Sequence, residues 1–130
     1  MTTPFPWHRL RKVALDLLAN PQDEAMLRSS INRSYYAAYG EAKAFAIRHG
    51  FTWDKKGQSH VKVWNYIKQG KGATANWEKL AWKAIGDAGA DLKLERTAAD
   101  YHATPAVVSA MAISSLSQAN TIIKRLQGLP

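Results

Sequence analysis

Apolar residues recur at three- and four-residue steps along most of the chain, which is the spacing of helices that bury one face. The longest such pattern predicts a helix over 22–49. No segment shows the strict alternation of apolar and polar residues that is typical of a half-buried strand. The apolar face of the long helix comprises Leu27, Ile31, Tyr35, Ala38, Ala42 and Phe45.

Proline and glycine residues mark where this pattern is interrupted. A first helix over 7–19 ends before Pro21, because the residue that precedes a proline is disfavoured in the helical conformation. Gly50 is placed to end the long helix as a left-handed cap. The apolar stripe of the first helix comprises Leu10, Val13, Ala14, Leu17 and Leu18.

Two more helices are predicted further along the chain. The shorter one, 59–69, begins at Ser59 as its N-terminal cap. The longer one, 76–101, contains Gly86 and Gly89, which allow either a kink or the close approach of a neighbouring helix. The residues expected to face the core are Val61, Trp64, Ile67, Leu80, Ile85, Leu92 and Leu94.

A last helix is predicted over 105–126, because Thr104 is a good N-terminal cap and Pro105 is favoured at the first helical position. Short connections indicate that neighbouring helices run antiparallel. We therefore expect one all-α domain over 1–130, an antiparallel bundle of four to five helices without β-sheet. The inward face of the last helix comprises Val108, Met111, Ala112, Ser115, Ala119, Ile122 and Leu126.

Composition narrows the function classes. The chain has no cysteine, which excludes a disulfide framework, a thiolate metal site and a cysteine nucleophile. No apolar run approaches the roughly 20 residues of a membrane span, and 1–11 lacks the apolar segment of a secretory signal. We therefore expect a cytoplasmic protein without a membrane partner. The net charge of +8 favours polyanionic partners, either nucleic acid or an acidic protein.

One basic stretch has no acid among its lysines and contains His60, Trp64 and Tyr66. Either it follows the phosphates of RNA while its aromatic rings stack on bases, or it is a solvated face whose aromatic residues belong to the core. The core interpretation is preferred for Trp64. The candidate RNA-binding residues are Lys55, Lys56, Lys62, Lys68 and Lys71.

The segment from Arg96 to His102 holds a cation, a carboxylate, a phenol and an imidazole. Arginine can bind a phosphate through two parallel hydrogen bonds, and histidine can transfer a proton near neutral pH. Together they indicate metal-independent cleavage of RNA. The alternative is an ordinary helix end, in which Arg96 pairs with Asp100 and His102 interacts with the helix dipole.

Two segments resemble the signatures of HEPN domains. Residues 29–39 contain Arg-Ser-Tyr-Tyr-Ala, which is similar to the second-helix signature, and 94–102 contain an arginine followed by Ala-Asp-Tyr, which is similar to the later one. The segment 57–60 resembles a glycine- and histidine-bearing stretch before the third helix. The resemblance covers about 9–126 and implies a HEPN-like bundle that forms a homodimer with its sites at the dimer face.

For many HEPN domains the resemblance also implies a metal-independent endoribonuclease, here of a prokaryotic toxin type that an antitoxin holds in check. Such members carry an arginine, then four to six residues, then a histidine. Arg96 and His102 fit this pattern with five residues between them, and Thr97 stands where asparagine is more usual. The second interpretation is a non-catalytic module that binds nucleotides beside a small nucleotidyltransferase, which would modify Tyr101. The third is a structural dimerising domain.

Helical geometry separates the two candidate catalytic residues. Six positions turn a helix by roughly 600°, so Arg96 and His102 would lie about 120° apart on one helix. Either His102 lies beyond the helix end and bends back, or a two-fold axis brings the motifs of two chains into one cleft. The resemblance favours the second arrangement. His102 would then move the proton of a ribose hydroxyl, and Arg96 would stabilise the phosphate.

The remaining site candidates surround this pair. Tyr36 is preferred over Tyr35 as a polar group near the site, because Tyr35 falls on the apolar stripe. A row of carboxylates on the fourth helix has no histidine at ligand spacing, so no metal is predicted. No other cofactor is predicted, since the sequence has no glycine-rich phosphate loop. The supporting residues are Thr97, Asp100, Tyr101, Asn32, Arg33 and Tyr36.

Overall fold

A computed structural model describes residues 3–54 and 56–130, and within these ranges the chain contains five α-helices and no strand. The prediction of an all-α bundle is therefore confirmed. A 3-10 turn, Trp7–Arg9, leads directly into the first helix. The helices are α1 (Leu10–Leu17), α2 (Glu24–Arg48), α3 (Ser59–Gln69), α4 (Asn76–Tyr101) and α5 (Ser109–Gln127).

The long helix α2 is central, because all four other helices pack against it. The Asp23 carboxylate caps its N-terminus by accepting hydrogen bonds from the amides of Ala25 and Met26, at 3.0 and 3.3 Å. Its six predicted apolar-face residues are at most 2% exposed. At its other end Gly50 adopts a φ of +103°, which residues with a side chain rarely adopt. This helix was therefore predicted correctly.

Helices α3 and α4 run antiparallel at very short distance. A Cβ atom at Gly86 would lie 2.6 Å from the backbone nitrogen of Lys68, and one at Gly89 would lie 2.2 Å from the Trp64 ring. As residue numbers rise along α4, their contacts on α3 move towards lower numbers. Of the two roles considered for these glycines, close approach of a neighbouring helix is therefore the one observed.

Several residues that were expected in the core are exposed. Leu80 and Leu94 are 70% and 68% exposed, whereas Trp82 and Leu92 are buried. Each exposed leucine stands two positions from a buried residue, which is about 200° of helix rotation. The prediction thus mixed two faces of α4. Val13 in α1 is also exposed, at 43%.

The start of α3 differs from the prediction in two ways. Gln58, in a left-handed conformation with φ +68°, is the N-terminal cap, and Ser59 is the first helical residue. Val61 is 42% exposed and Val63 is buried in its place. Four positions rotate a helix by about 400°, so Val63 and Ile67 share a face and Val61 does not.

Helix α5 begins at Ser109, so the predicted start at Pro105 was wrong. Val107 is only 6% exposed, and its amide donates a hydrogen bond to the Glu24 carboxylate at 3.3 Å. These contacts hold the segment before α5 against α2, which a helix starting at Pro105 would prevent. Two residues that were expected to face inward are exposed: Val108 and Met111.

Candidate functional site

Arg96 lies where α4 packs on α2. The side chain is only 11% exposed, and the carbon of its guanidinium lies 5.2 Å from the ring centroid of Tyr35 and 5.6 Å from that of Tyr36. These distances are within the range of cation–π attraction. Its Nε is buried without a hydrogen-bond partner in the part of the chain that the structure describes.

A row of polar side chains continues from Arg96 to the surface of α2. A guanidinium nitrogen of Arg96 lies 3.4 Å from Asp100, and the same carboxylate oxygen accepts a hydrogen bond from the Asn32 amide at 2.9 Å. Arg33 in turn donates to the Asn32 side-chain oxygen at 2.9 Å, and its guanidinium lies over the ring of Tyr36. The structure thus brings five of the site candidates together: Asn32, Arg33, Tyr36, Arg96 and Asp100. It also contains the Arg96–Asp100 ion pair that the alternative interpretation expected.

His60 joins this cluster from the first turn of α3. Its Nδ1 lies 2.7 Å from the Tyr35 hydroxyl, and its ring stacks on Tyr39 with centroids 3.9 Å apart. The indole of Trp64 donates a hydrogen bond to the same Tyr35 oxygen at 3.0 Å. Trp64 itself is 2% exposed, which confirms the preference for a core position. We call Tyr35, Tyr39, His60, Trp64 and Arg96 the Tyr35 cluster.

The hydrogen bonds of the Tyr35 cluster favour one tautomer of His60. Trp64 donates to the Tyr35 oxygen, and within the described residues the Tyr35 hydroxyl meets only one acceptor, the Nδ1 of His60. Because a buried hydroxyl that donates to no acceptor is costly, we assign Tyr35 as the donor to that nitrogen, and a neutral His60 then carries its hydrogen on Nε2. No residue of the described part of the chain accepts a hydrogen bond from that Nε2.

Burial and surrounding cations keep His60 neutral. Desolvation, followed by the charges of Arg96, Lys93 and Lys43, lowers the pKa of His60 to about 4. Burial raises the pKa of Tyr35 far above its ordinary value, so the phenol stays protonated. At neutral pH the cluster thus consists of a neutral imidazole next to a guanidinium.

The low pKa of His60 predicts that the protein loses stability in acid. His60 has a pKa of about 4 in the folded chain and about 6.5 in the unfolded chain, so only the unfolded chain takes up a proton between these pH values. The contribution of His60 to the free energy of unfolding is therefore complete above pH 6.5, and it is lost as the pH falls to about 4. The two pKa values correspond to a loss of about 3 kcal/mol in the free energy of unfolding, and solvent screening of the half-buried ring reduces this loss to about 1–2 kcal/mol.

Denaturant unfolding at pH 7 and pH 4.5 measures this loss. The variant His60→Phe keeps a ring to stack on Tyr39 but cannot be protonated. It should be less stable than the wild type at pH 7, because the Tyr35 hydroxyl loses its acceptor, and should lose less stability on acidification. Equal losses in the two proteins would contradict the assignment of this titration to His60.

His102 lies elsewhere on α4, as its C-terminal cap. It has extended backbone angles and an exposed side chain, and it borders a cavity of about 530 Å³ between α4 and α5, with Leu94 and Met111 among the lining residues. Arg96 faces α2 instead, against Tyr35. Within one chain, therefore, the structure does not bring the two candidate catalytic residues together.

Two supporting candidates also lie apart from the cluster. The Thr97 hydroxyl donates a hydrogen bond to the Lys93 carbonyl at 2.9 Å, within its own helix. Tyr101 is 74% exposed. The first is thus engaged with its own backbone, and the second is accessible to another molecule.

The predicted RNA-binding lysines are divided by their ion pairs. Lys62 lies 3.5 Å from Asp54, and Lys68 lies 3.2 Å from Asp87. Both acids come from outside the basic stretch, so its charge is partly neutralised. Lys55 lies outside the described residues. The other two lysines are exposed: Lys56 and Lys71.

The carboxylate row of α4 is used for contacts within the fold. Asp87 pairs with Lys68 and with Lys83, and Glu95 accepts hydrogen bonds from Ser115 at 3.0 Å and from a glutamine of α5. Over the described ranges, no group of three histidine, aspartate or glutamate side chains could hold a metal ion.

Arg28 is the residue near the site that the sequence did not single out. Its guanidinium donates hydrogen bonds to the carbonyls of Ala99 and His102 at 2.9 and 2.7 Å, and to three more carbonyls between residues 98 and 105. Its Nε pairs with Glu24 at 2.8 Å. In the sequence, the four-residue spacing between Glu24 and Arg28 indicated their ion pair. It gave no sign that Arg28 also contacts the end of α4.

Comparison with known proteins leaves the site to be interpreted from its own geometry. No family model, curated protein or solved structure matches the chain. Within the described ranges, every helix is too short or too polar to cross a membrane.

Proposed function

We propose that this chain is a HEPN-like, metal-independent endoribonuclease of the toxin type, with Arg96 as the residue that binds the scissile phosphate. One observation carries the proposal. The guanidinium of Arg96 is held in place by two tyrosine rings and Asp100, at the point where Asn32 and Arg33 also converge. A fixed cation at this position could stabilise a phosphate without reorganising during the reaction.

The proposed reaction uses the ribose 2′-hydroxyl as the nucleophile. The 2′-oxygen attacks phosphorus, and its proton passes to His102 of one subunit. The bond to the 5′-oxygen breaks as His102 of the partner subunit donates a proton to that oxygen. The products are a 2′,3′-cyclic phosphate and a 5′-hydroxyl, and DNA is not a substrate. Because Arg96 and His102 lie apart in one chain, the proposal requires a homodimer that brings the partner's His102 to Arg96. An acidic antitoxin would complement the net charge of +8.

Incubation of the purified protein with RNA in the presence of a chelator tests this function. Arg96→Ala and His102→Ala are each expected to reduce cleavage by about 100-fold or more, because each removes a group that acts in the transition state. Arg125→Ala, which removes an exposed cation of α5, is the matched control and should leave the rate unchanged. Cleavage that depends on added metal, or that survives both substitutions, would contradict the proposal.

A second function, non-catalytic nucleotide binding beside a small nucleotidyltransferase, is favoured by the separation of Arg96 from His102 and by the exposure of Tyr101. Here Arg96→Ala would weaken nucleotide binding and His102→Ala would not. Transfer of a labelled nucleotide to the protein, abolished in Tyr101→Phe, together with the absence of RNA cleavage, would favour this alternative.

A further inference from the structure

The surroundings of His60 carry an excess of positive charge. The charges of Arg96 and Lys93 on α4 and of Lys43 on α2 all lower the pKa of His60, whereas no carboxylate contributes to the shift. The acid nearest to Arg96 is Asp100, and this carboxylate is shared with the Asn32 amide. These cations would attract an anion, and a bound anion would favour the protonated form of the imidazole.

Two hydrogen-bond donors on residues that contact Tyr35 have no acceptor among the described residues. One is the Nε2–H of His60, whose orientation is fixed by the Tyr35 hydroxyl on Nδ1 and by the stacked ring of Tyr39. The other is the Nε–H of Arg96, which is buried. An anion next to the His60 ring would accept a hydrogen bond from its Nε2–H, and the nearby guanidinium of Arg96 would attract the anion through its charge.

A small pocket beside the cluster offers aromatic surfaces. Its volume is about 320 Å³, and its lining includes Trp7, Tyr36, Tyr39 and Lys43. Tyr39 connects this pocket to His60, since the two rings are stacked, and Tyr36 meets the same imidazole edge to face with centroids 5.7 Å apart. Aromatic rings next to cations are the surroundings in which nucleobases stack while their phosphates are bound.

From these three features we infer that His60 and Arg96 together bind the phosphate group of a nucleotide, with the Nε2–H of His60 as a donor and the base in the pocket of Trp7 and Tyr36. Lys43 and Lys93 attract the anion over a longer distance. The inference rests on the proposed phosphate binding by Arg96, but it does not require cleavage. It assigns to His60 a direct contact with the ligand, which neither the basic stretch nor the Arg96–His102 segment indicates.

Nuclear magnetic resonance of the histidine side chains in the intact protein tests the inference. The probes are uridine 3′-monophosphate and inorganic phosphate, with sodium chloride as the ionic-strength control. Nucleotide should shift the His60 signals and raise the midpoint of its titration by about one pH unit or more, because a bound anion favours the imidazolium form. His49 is the internal reference, since both its ring nitrogens lie 2.8 Å from carbonyl oxygens.

Variants separate a direct contact from a structural role. His60→Phe keeps the stacked ring and should weaken nucleotide binding about tenfold, whereas His60→Gln, which retains a side-chain N–H, should restore part of that loss. Nucleotide is expected to bind about tenfold more tightly than inorganic phosphate. Equal affinities would overturn the assignment of a base to the aromatic pocket.

The outcomes also distinguish this inference from the proposed function. A response of His60 to nucleotide without any RNA cleavage would support the inference and contradict the ribonuclease. Cleavage of RNA with nucleotide signals confined to His102, and with wild-type binding in His60→Phe, would overturn the inference and leave the ribonuclease intact.

Discussion

Replacement of Arg28 by alanine is expected to lower the free energy of unfolding by about 3 kcal/mol. The last carbonyls of a helix have no partner within that helix, and in α4 the guanidinium of Arg28 supplies hydrogen bonds to them. Its side chain is 19% exposed, so water could replace these bonds only in part. Hydrogen bonds to a charged group contribute about 1.5–3 kcal/mol, and several carbonyls lose their donor at once.

The effect should be largest in the segment between α4 and α5. Glu24 would lose its ion pair with Arg28 and, among the described residues, would keep the hydrogen bond from the Val107 amide. Hydrogen exchange should therefore accelerate most over 99–107, and less in the centre of α2. Arg28→Lys should recover little of the stability. An ammonium cannot present the planar set of donors that reaches both the last carbonyls of α4 and those of the segment after it.

A matched control for this prediction is Lys12→Ala, which removes another cation paired with an acid four residues away. The pair of Lys12 with Asp16 is exposed, at 77% and 62%, and such pairs contribute about 0.3–0.5 kcal/mol. If Arg28→Ala is no more destabilising than Lys12→Ala in denaturant unfolding, the stabilisation of the α4 end by Arg28 is refuted.

The sequence predicted the buried residues of α2 better than those of α4. All four other helices pack against α2, so its six predicted apolar-face residues are all buried, although Ile47, on another face, is 46% exposed. Helix α4 has two apolar stripes, one with Trp82 and Leu92 and another with Leu80 and Leu94. Periodicity cannot tell which stripe faces the neighbouring helices, because that depends on contacts with α3. The two glycines of α4 indicated that contact without identifying its partner.

The site could be predicted where its residues are close in sequence. The pairing of Arg96 with Asp100 follows from their four-residue spacing, and Asn32 and Arg33 were named through the resemblance. The contact between Tyr35 and His60 joins residues 25 positions apart, and it depends on how α3 crosses α2. Tyr35 was assigned to the core and His60 to the basic stretch, so neither assignment placed them in one site.

Replacement of Gly89 by valine is expected to cost about 3 kcal/mol or more, because it would place side-chain atoms inside the ring of Trp64. An added Cβ alone would lie 2.2 Å from that ring. Trp64 is 2% exposed, so its ring cannot move out of the way without disturbing the core around it. Overpacking of a core typically costs about 1–3 kcal/mol, and occasionally more. Chemical denaturation measures the loss, and Ala90→Val, at the adjacent exposed position, is the matched control.

The same substitution would reach the candidate site through one hydrogen bond. If the indole of Trp64 moves, it no longer donates to the Tyr35 oxygen, and the hydroxyl is free to adopt other orientations. His60 then loses the contact that fixes its hydrogen on Nε2. Nucleotide binding should therefore fall in Gly89→Val and persist in Ala90→Val, under conditions where both variants are folded. If Gly89→Val and Ala90→Val were equally stable and bound nucleotide equally well, the close packing of α4 on Trp64 would not be what holds His60 in position.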